Sequence, residues 1–380
     1  QSSDYTGLFG NSKGDSGGST EISDVTLANV NINNISFGAG TLIGNSFYTD
    51  VTNCHVKGSI STVCGNPVNV GGLIGYAQHT VVDGSSTEVT YTVVDYTGKK
   101  DYYSLSIGGI TGSAVSGMTI QNSYSAGEIK RGTDDWSNNS LSTFNAGGLI
   151  GKVTEYYDYV VTNSFSTCSI NISNFSTQSN STEISVGGLV GYVNSPSTAG
   201  QSAKVAFSNS FYKGTITPLT TTSTVKSNNV GAIAGNGNSE MKFDNSFYPS
   251  GDMAAVGNNS PSSTTGLATI PDDLTTKLNE WVQTNNTKSD YLSWNIEGDV
   301  ISIVPETLAE VDTDYAWEDN ICTLKTKKGM LWFVDQVNKL YNTFEGKTVK
   351  LTKGDWDMTD KEWESIGLAK GSPHPYFSGT

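Results

Sequence analysis

Two short runs hold the side chains in this sequence that could do chemistry. RGTDDW (131–136) places Arg131, Asp134, Asp135 and Trp136 in one loop. TEYYDY (154–159) places Glu155, Tyr156, Tyr157, Asp158 and Tyr159 in another. Paired carboxylates can share the acid and base roles of polysaccharide cleavage. Carboxylates beside exposed rings can instead hold a sugar, the rings against its apolar face and the carboxylates accepting from its hydroxyls. Tyr102 and Tyr103 in KKDYYS form a third run of this kind. The bland alternative is a set of solvated loops whose rings cover the wall behind them.

Of the two functional readings, binding is preferred. The candidate ligand-contacting residues are Asp134, Asp135, Trp136, Glu155, Tyr156, Tyr157, Tyr159, Tyr102 and Tyr103, and no residue is assigned as catalytic. No histidine partner for a serine is legible, which argues against a hydrolytic triad. His55, His79 and His374 are scattered, and Cys54, Cys64, Cys168 and Cys322 form no CxxC pair, so no zinc spacing exists. No metal or other cofactor is expected, with calcium in the acidic loops as the exception to test, without EF-hand spacing. Cys54 and Cys64 are close enough for a local disulfide, but isolated buried thiols are the preferred reading.

Charge excludes whole classes of partner. The formal net charge is −15 and Arg131 is the sole arginine. Nucleic acid binding needs clustered cations to displace counterions from phosphates, so it is not expected. No run of 18 or more apolar residues occurs, and no membrane insertion is expected.

The elements that must position these loops come from a repeat. GTLIG (40–44), GGLIG (71–75), GGITG (108–112), GGLIG (147–151), GGLVG (187–191) and GAIAG (231–235) alternate with a second phrase. That phrase is NSYSAGEI from Asn122, NSFSTCSI from Asn163, NSFYKGTI from Asn209 and NSFYPSGD from Asn245, with degenerate copies at Asn53 and Asp83. The aliphatic inside the glycine phrase falls at Leu8, Leu42, Leu73, Ile110, Leu149, Leu189 and Ile233, 31 to 44 residues apart. Glycines this dense would each cost a helix about 1 kcal/mol, and the second phrase alternates as a strand does. Seven copies of a two-phrase unit predict a repeat architecture. Glycine is needed where backbones approach, and equivalent asparagines can bond along a ladder. The insertions VDYTGKKDYYS (94–104) and STFNAGG (142–148), with the polar run before it, are read as surface loops.

The alternation of GGLIG with NSYSAG over residues 5–250 resembles the GLUG-motif repeats of bacterial surface and secreted proteins. The fold class expected is mainly β, a right-handed β-solenoid (β-helix) followed by a small α/β module. The resemblance implies an extracellular, secreted or surface-displayed adhesin whose partner is a host or bacterial glycan or protein. Some family members sit beside an IgA-cleaving metallopeptidase domain. Its HExxH motif is absent here, so peptidase activity is not implied.

Four segments are expected: a solenoid over 1–266, a helix (270–286) plus hairpin forming a lid over 267–304, a linker over 305–320, and an α/β module over 321–380. Trp281, Tyr291 and Trp294 are read as core of the lid. The last segment resembles the cap that precedes such repeats, through VNKLYNTFEGKTVKLT, DWD (355–357), WESIG (363–367) and FSGT (377–380). Three arrangements suit a terminal cap: a piece of a longer array, a head-to-tail fibre, or a module folded back on its own first repeat. For the fibre, the candidate assembly residues are Leu8, Phe9, Trp356, Trp363 and Phe377.

Overall fold

Each glycine phrase closes one strand and opens the next. Val68–Gly71 ends at the phrase, Gly72 and Leu73 make the corner, and Ile74–Asp83 follows; a second corner at Gly84 and Ser85 leads into Ser86–Val94. The next repeat retraces this path in Tyr103–Gly108, Thr111–Gln121 and Tyr124–Arg131. The chain thus visits three sheets in a fixed order, and each pass pairs in parallel with its predecessor.

The structure, a computed structural model, describes residues 5–35, 38–63, 68–94, 103–132, 141–173, 182–194, 202–219, 225–258, 261–285, 291–304, 313–338 and 343–353. The chain divides into two units, Gln1–Asp272 and Asp273–Thr380. The first is mainly β with long parallel sheets.

The first sheet has seven strands, one for each copy of the glycine phrase. Gly40, Gly71, Gly108, Gly147, Gly187 and Gly231 pair in register along it. The need for glycine is plainest at the second residue of the phrase. A Cβ on Gly109 would lie 2.0 Å from the Gly148 carbonyl oxygen and 2.5 Å from the Ser125 side chain. Ser125 itself donates through Oγ to that carbonyl, so the space is already filled by a bond.

The corner aliphatics Leu42, Leu73, Ile110, Leu149, Leu189 and Ile233 are fully buried. Burial of each contributes about 1.5–3 kcal/mol. Leu8, their equivalent in the first pass, is 58% exposed.

The second corner carries the asparagines. Asn53, Asn122, Asn163, Asn209 and Asn245 adopt φ between 45° and 51°, a left-handed conformation that asparagine tolerates. Their amides bond from pass to pass: Asn122 Nδ2 donates to Asp83 Oδ1 (2.9 Å), Asn163 to Asn122 (2.8 Å), Asn209 to Asn163 (2.7 Å) and Asn245 to Asn209 (2.6 Å). One residue on, the amides of Ser85, Ser123 and Ser164 each donate to the hydroxyl of the next pass's serine, at 3.0–3.2 Å. Outside these, Tyr124, Phe165 and Phe211 stack face to face, with centroids 4.8 and 5.3 Å apart.

Several boundaries differ from the sequence reading. STFNAGG is not a surface loop, because Leu141–Gly147 is a strand of the first sheet with Phe144 fully buried. The stack runs past 266, since Leu267–Thr269 pairs in parallel with Ser246–Tyr248. The acidic stretch read as a linker holds a strand, Tyr315–Glu318, antiparallel to Ile321–Leu324. Its alternating Tyr315 and Trp317 are the signal that its charges obscured.

In the second unit, the helix Leu274–Asn285 buries Leu274, Leu278 and Val282. Asn279 clamps the hairpin strand Ser293–Glu297 by accepting from Trp294 N–H (2.8 Å) and donating to Trp294 O (2.9 Å). The hairpin turns at Gly298 and Asp299, with φ of 64° at Gly298. Trp294 is buried, and Trp281 and Tyr291, each half-buried, pack ring to ring at 5.1 Å. Farther along, Ile321–Leu324 pairs in parallel with Thr348–Leu351, and Lys327–Asn338 is the helix between them. Cys322, Leu324, Phe333, Val337 and Phe344 form a small core there. Among the described residues, no helix is long and apolar enough to cross a membrane.

Candidate functional site

In four consecutive passes the long strand of the second sheet bends at one place. The residue at the bend has positive φ: Tyr48 (48°), His79 (47°), Ser116 (60°) and Glu155 (68°). In the fourth pass the bend widens into a turn, Glu155–Tyr157, between the strands Ile150–Thr154 and Asp158–Thr162.

The bends stack into a corner of rings. Tyr48 lies face to face with His79 at 4.4 Å, and Phe47 meets Tyr48 edge-on at 4.7 Å. Tyr157 meets His79 edge-on at 5.4 Å. Ser116 Oγ donates to Glu155 Oε2 (2.6 Å), which fixes the carboxylate at the rim. Tyr156 and Tyr157 remain 43% and 45% exposed, and Asp158, also exposed, lies 3.7 Å from Lys204.

On the same sheet, Tyr76, Ser113, Lys152 and Tyr192 form one register column. Burial lowers the Lys152 pKa, and its ammonium sits 6.0 Å from the centre of the Tyr192 ring. Burial raises the Tyr76 pKa, with the Glu155 charge adding to it. Rings, a fixed carboxylate and a partly desolvated ammonium thus share one side of the sheet. Such a set can stack on a sugar face and exchange hydrogen bonds with its hydroxyls.

The sequence-derived residues separate into three groups. Glu155, Tyr156 and Tyr157 lie together on the corner. Tyr159 does not join them: alternation from Asp158 turns it inward, where it is fully buried and donates its hydroxyl to Thr154 O. Burial raises its pKa accordingly. Tyr103 begins a strand of the first sheet rather than lying in a loop. Asp134, Asp135, Trp136 and Tyr102, with Trp356, Trp363 and Phe377, lie outside the described residues. Leu8 and Phe9 are exposed on the first pass.

Cys54 is a free buried thiol, near the carbonyls of Thr52 (3.4 Å) and Ile22 (3.6 Å), and burial pushes its pKa up to about 11. Its proposed partner Cys64 lies outside the described residues. Among those residues no group of three or more His, Cys, Asp or Glu side chains could hold a metal ion.

One constellation escaped the sequence reading. On the third sheet, His55 and Ser86 are register partners, and His55 Nδ1 lies 2.8 Å from Ser86 Oγ. Its Nε2 lies 3.0 Å from Asn53 Oδ1. Aligning NCHV (53–56) with GSST (84–87) as copies of one phrase places His55 over Ser86, but the second copy is too degenerate to fix that register alone.

No protein-family model, no curated protein and no solved structure matches this chain.

Proposed function

We propose that the parallel stack is a right-handed β-solenoid of the GLUG type, and that the protein is a non-enzymatic, secreted or surface-displayed adhesive rod. The repeat supplies stiffness through its side-chain ladders, and the corner supplies the contact. The observation that carries the reading is the exposed pair Tyr156 and Tyr157 beside the anchored carboxylate of Glu155. Among the described residues few other large apolar side chains are exposed, and rings left open to water in such a setting mark a contact surface. Their alternation with carboxylates suits a neutral or weakly basic glycan, while the net charge of −15 disfavours an anionic one. Binding of soluble polysaccharides to the purified chain and to the double variant Tyr156→Ala/Tyr157→Ala tests this. Affinity lost in the variant supports it, and undiminished affinity removes the corner from the account.

A second reading concerns assembly. Leu8 and Phe9 are 58% and 41% exposed, whereas the equivalents of Leu8 in later passes are buried. A contact that covered them in a second copy would build head-to-tail association, which need not close. Solution mass across a concentration series, compared with Leu8→Asp, tests it: concentration-dependent growth abolished by the variant supports the reading, and a constant monomer mass removes it.

A further inference from the structure

The amide of Asn53 determines which way a proton can move on the third sheet. Asn53 Nδ2 donates to Asp24 Oδ1 at 2.6 Å, and a carboxylate oxygen only accepts. The amide orientation is therefore set, and its Oδ1 is the atom that faces His55 Nε2 at 3.0 Å. An amide oxygen accepts, so Nε2 must carry the imidazole proton. Nδ1 is left with its lone pair, and the hydroxyl of Ser86, 2.8 Å away, is the donor to it. A serine donating to an imidazole that is oriented by a third group is the arrangement that activates a nucleophile.

We propose that Ser86 is an activated nucleophile that accepts an acyl group from an activated ester, with His55 as its base and Asn53 and Asp24 as positioning residues. Ser86 Oγ forms a bond to the ester carbonyl carbon as its proton passes to His55 Nδ1. The bond from that carbon to the leaving oxygen then breaks, and the departing alkoxide takes the proton from Nδ1. The product is an acyl-serine and a free alcohol, with the imidazole neutral again. The imidazolium formed on the way keeps Nε2–H on Asn53 and lies within the field of Asp24.

Ser86 is 8% exposed, so the approach to its hydroxyl is narrow, beside the partly buried His55 and the exposed Asp24. In the next pass Tyr124 is the register partner of Ser86, an aromatic neighbour for an apolar acyl or aryl group. The Lys57–Glu88 ion pair (2.7 Å) lies two residues farther along the same strands. None of this depends on the glycan reading, which concerns a different sheet.

The test uses the full chain with a fluorophosphonate probe, which loses fluoride to an activated serine, and with p-nitrophenyl acetate. The expected result is one adduct per chain on the peptide that contains Ser86, absent in Ser86→Ala. Labelling of His55→Gln should be about 100-fold slower, the size of a lost general base. Asp24→Asn tolerates the same left-handed backbone and frees the Asn53 amide to flip, so it should slow labelling without unfolding the chain. The wild-type rate should rise with pH through a midpoint below the ordinary histidine value, because burial lowers the His55 pKa. Circular dichroism establishes that each variant is folded. No adduct on folded protein, an adduct elsewhere, or equal rates in His55→Gln overturns the proposal.

Discussion

The ring of Tyr157 touches the imidazole of His79, edge to face at 5.4 Å, although one pass of the chain lies between them. The intervening pass presents Gly117 there, with φ of 94°, and the nearest atoms to a Cβ built on it include Asp158 O, Tyr157 Cβ and His79 Nδ1. A side chain longer than alanine's on that pass would press between the two rings. The corner is therefore made as much by a missing side chain as by the aromatic ones.

Gly117→Ala should cost about 1–2 kcal/mol from the left-handed backbone alone. The neighbours lie at 3.4 Å and beyond, so no severe clash adds to this. Denaturant unfolding measures the loss. Glycan binding should change little in this variant, because the added Cβ makes only ordinary contacts with Tyr157 and His79.

Gly109→Ala should be far more damaging, because its Cβ would meet the Gly148 carbonyl at 2.0 Å. Backbone cannot withdraw there without breaking the pairing of two passes, and the cost should exceed about 3 kcal/mol. Gly298→Ala, at a hairpin turn with open space around it, should cost only about 1–2 kcal/mol. Thermal unfolding of the two variants side by side separates packing from backbone strain.

Asn163→Asp tests the amide ladder. Asn163 Nδ2 donates to Asn122 Oδ1, and the aspartate would place an acceptor against an acceptor in a buried site. The expected destabilisation is about 1–3 kcal/mol, the cost of a buried polar group left without its bond. The loss should grow with pH as the carboxylate ionises. A stability equal to wild type at neutral pH would mean that the ladder contributes nothing.

His55 also makes stability depend on pH. Burial is the main cause of its lowered pKa, opposed by the nearby Asp24 charge. The unfolded chain therefore binds a proton more readily than the folded one. The contribution is fully present above the ordinary value of about 6.5 and is lost as pH falls from there through the folded value. Asp50 acts in the opposite sense at lower pH, since burial raises its pKa and protonation relieves that cost. Melting temperatures from pH 7.5 to 5 should fall for the wild type and flatten in His55→Gln.

Much of the stack was legible in the sequence because its constraints are local and repeated. Glycine at 71 and 108 and asparagine at 122 and 163 are demanded by close approach and by left-handed corners, so each copy reports the same geometry. What failed were counts within one copy. Tyr159 read as part of an exposed run, but the turn ends at Tyr157 and strand alternation then sends Tyr159 inward. Phe144 sat in a stretch read as an insertion, although its alternation with Ala146 marks a buried strand face. The His55–Ser86 pair depends on register between two degenerate copies, and the Tyr157–His79 contact crosses a pass through a glycine. Neither follows from spacing along the chain.

The central claim is that the corner around Tyr156 and Tyr157 is a glycan-binding surface. Titration calorimetry of the wild-type chain against a panel of soluble neutral polysaccharides tests it most directly, with folded Tyr156→Ala/Tyr157→Ala in parallel. The account predicts saturable binding to at least one glycan, without release of reducing ends, and a loss of about tenfold or more in the double variant, as base-face or sugar-face stacking on two rings would supply. Binding of equal strength in the double variant, or no binding across the panel, would contradict it.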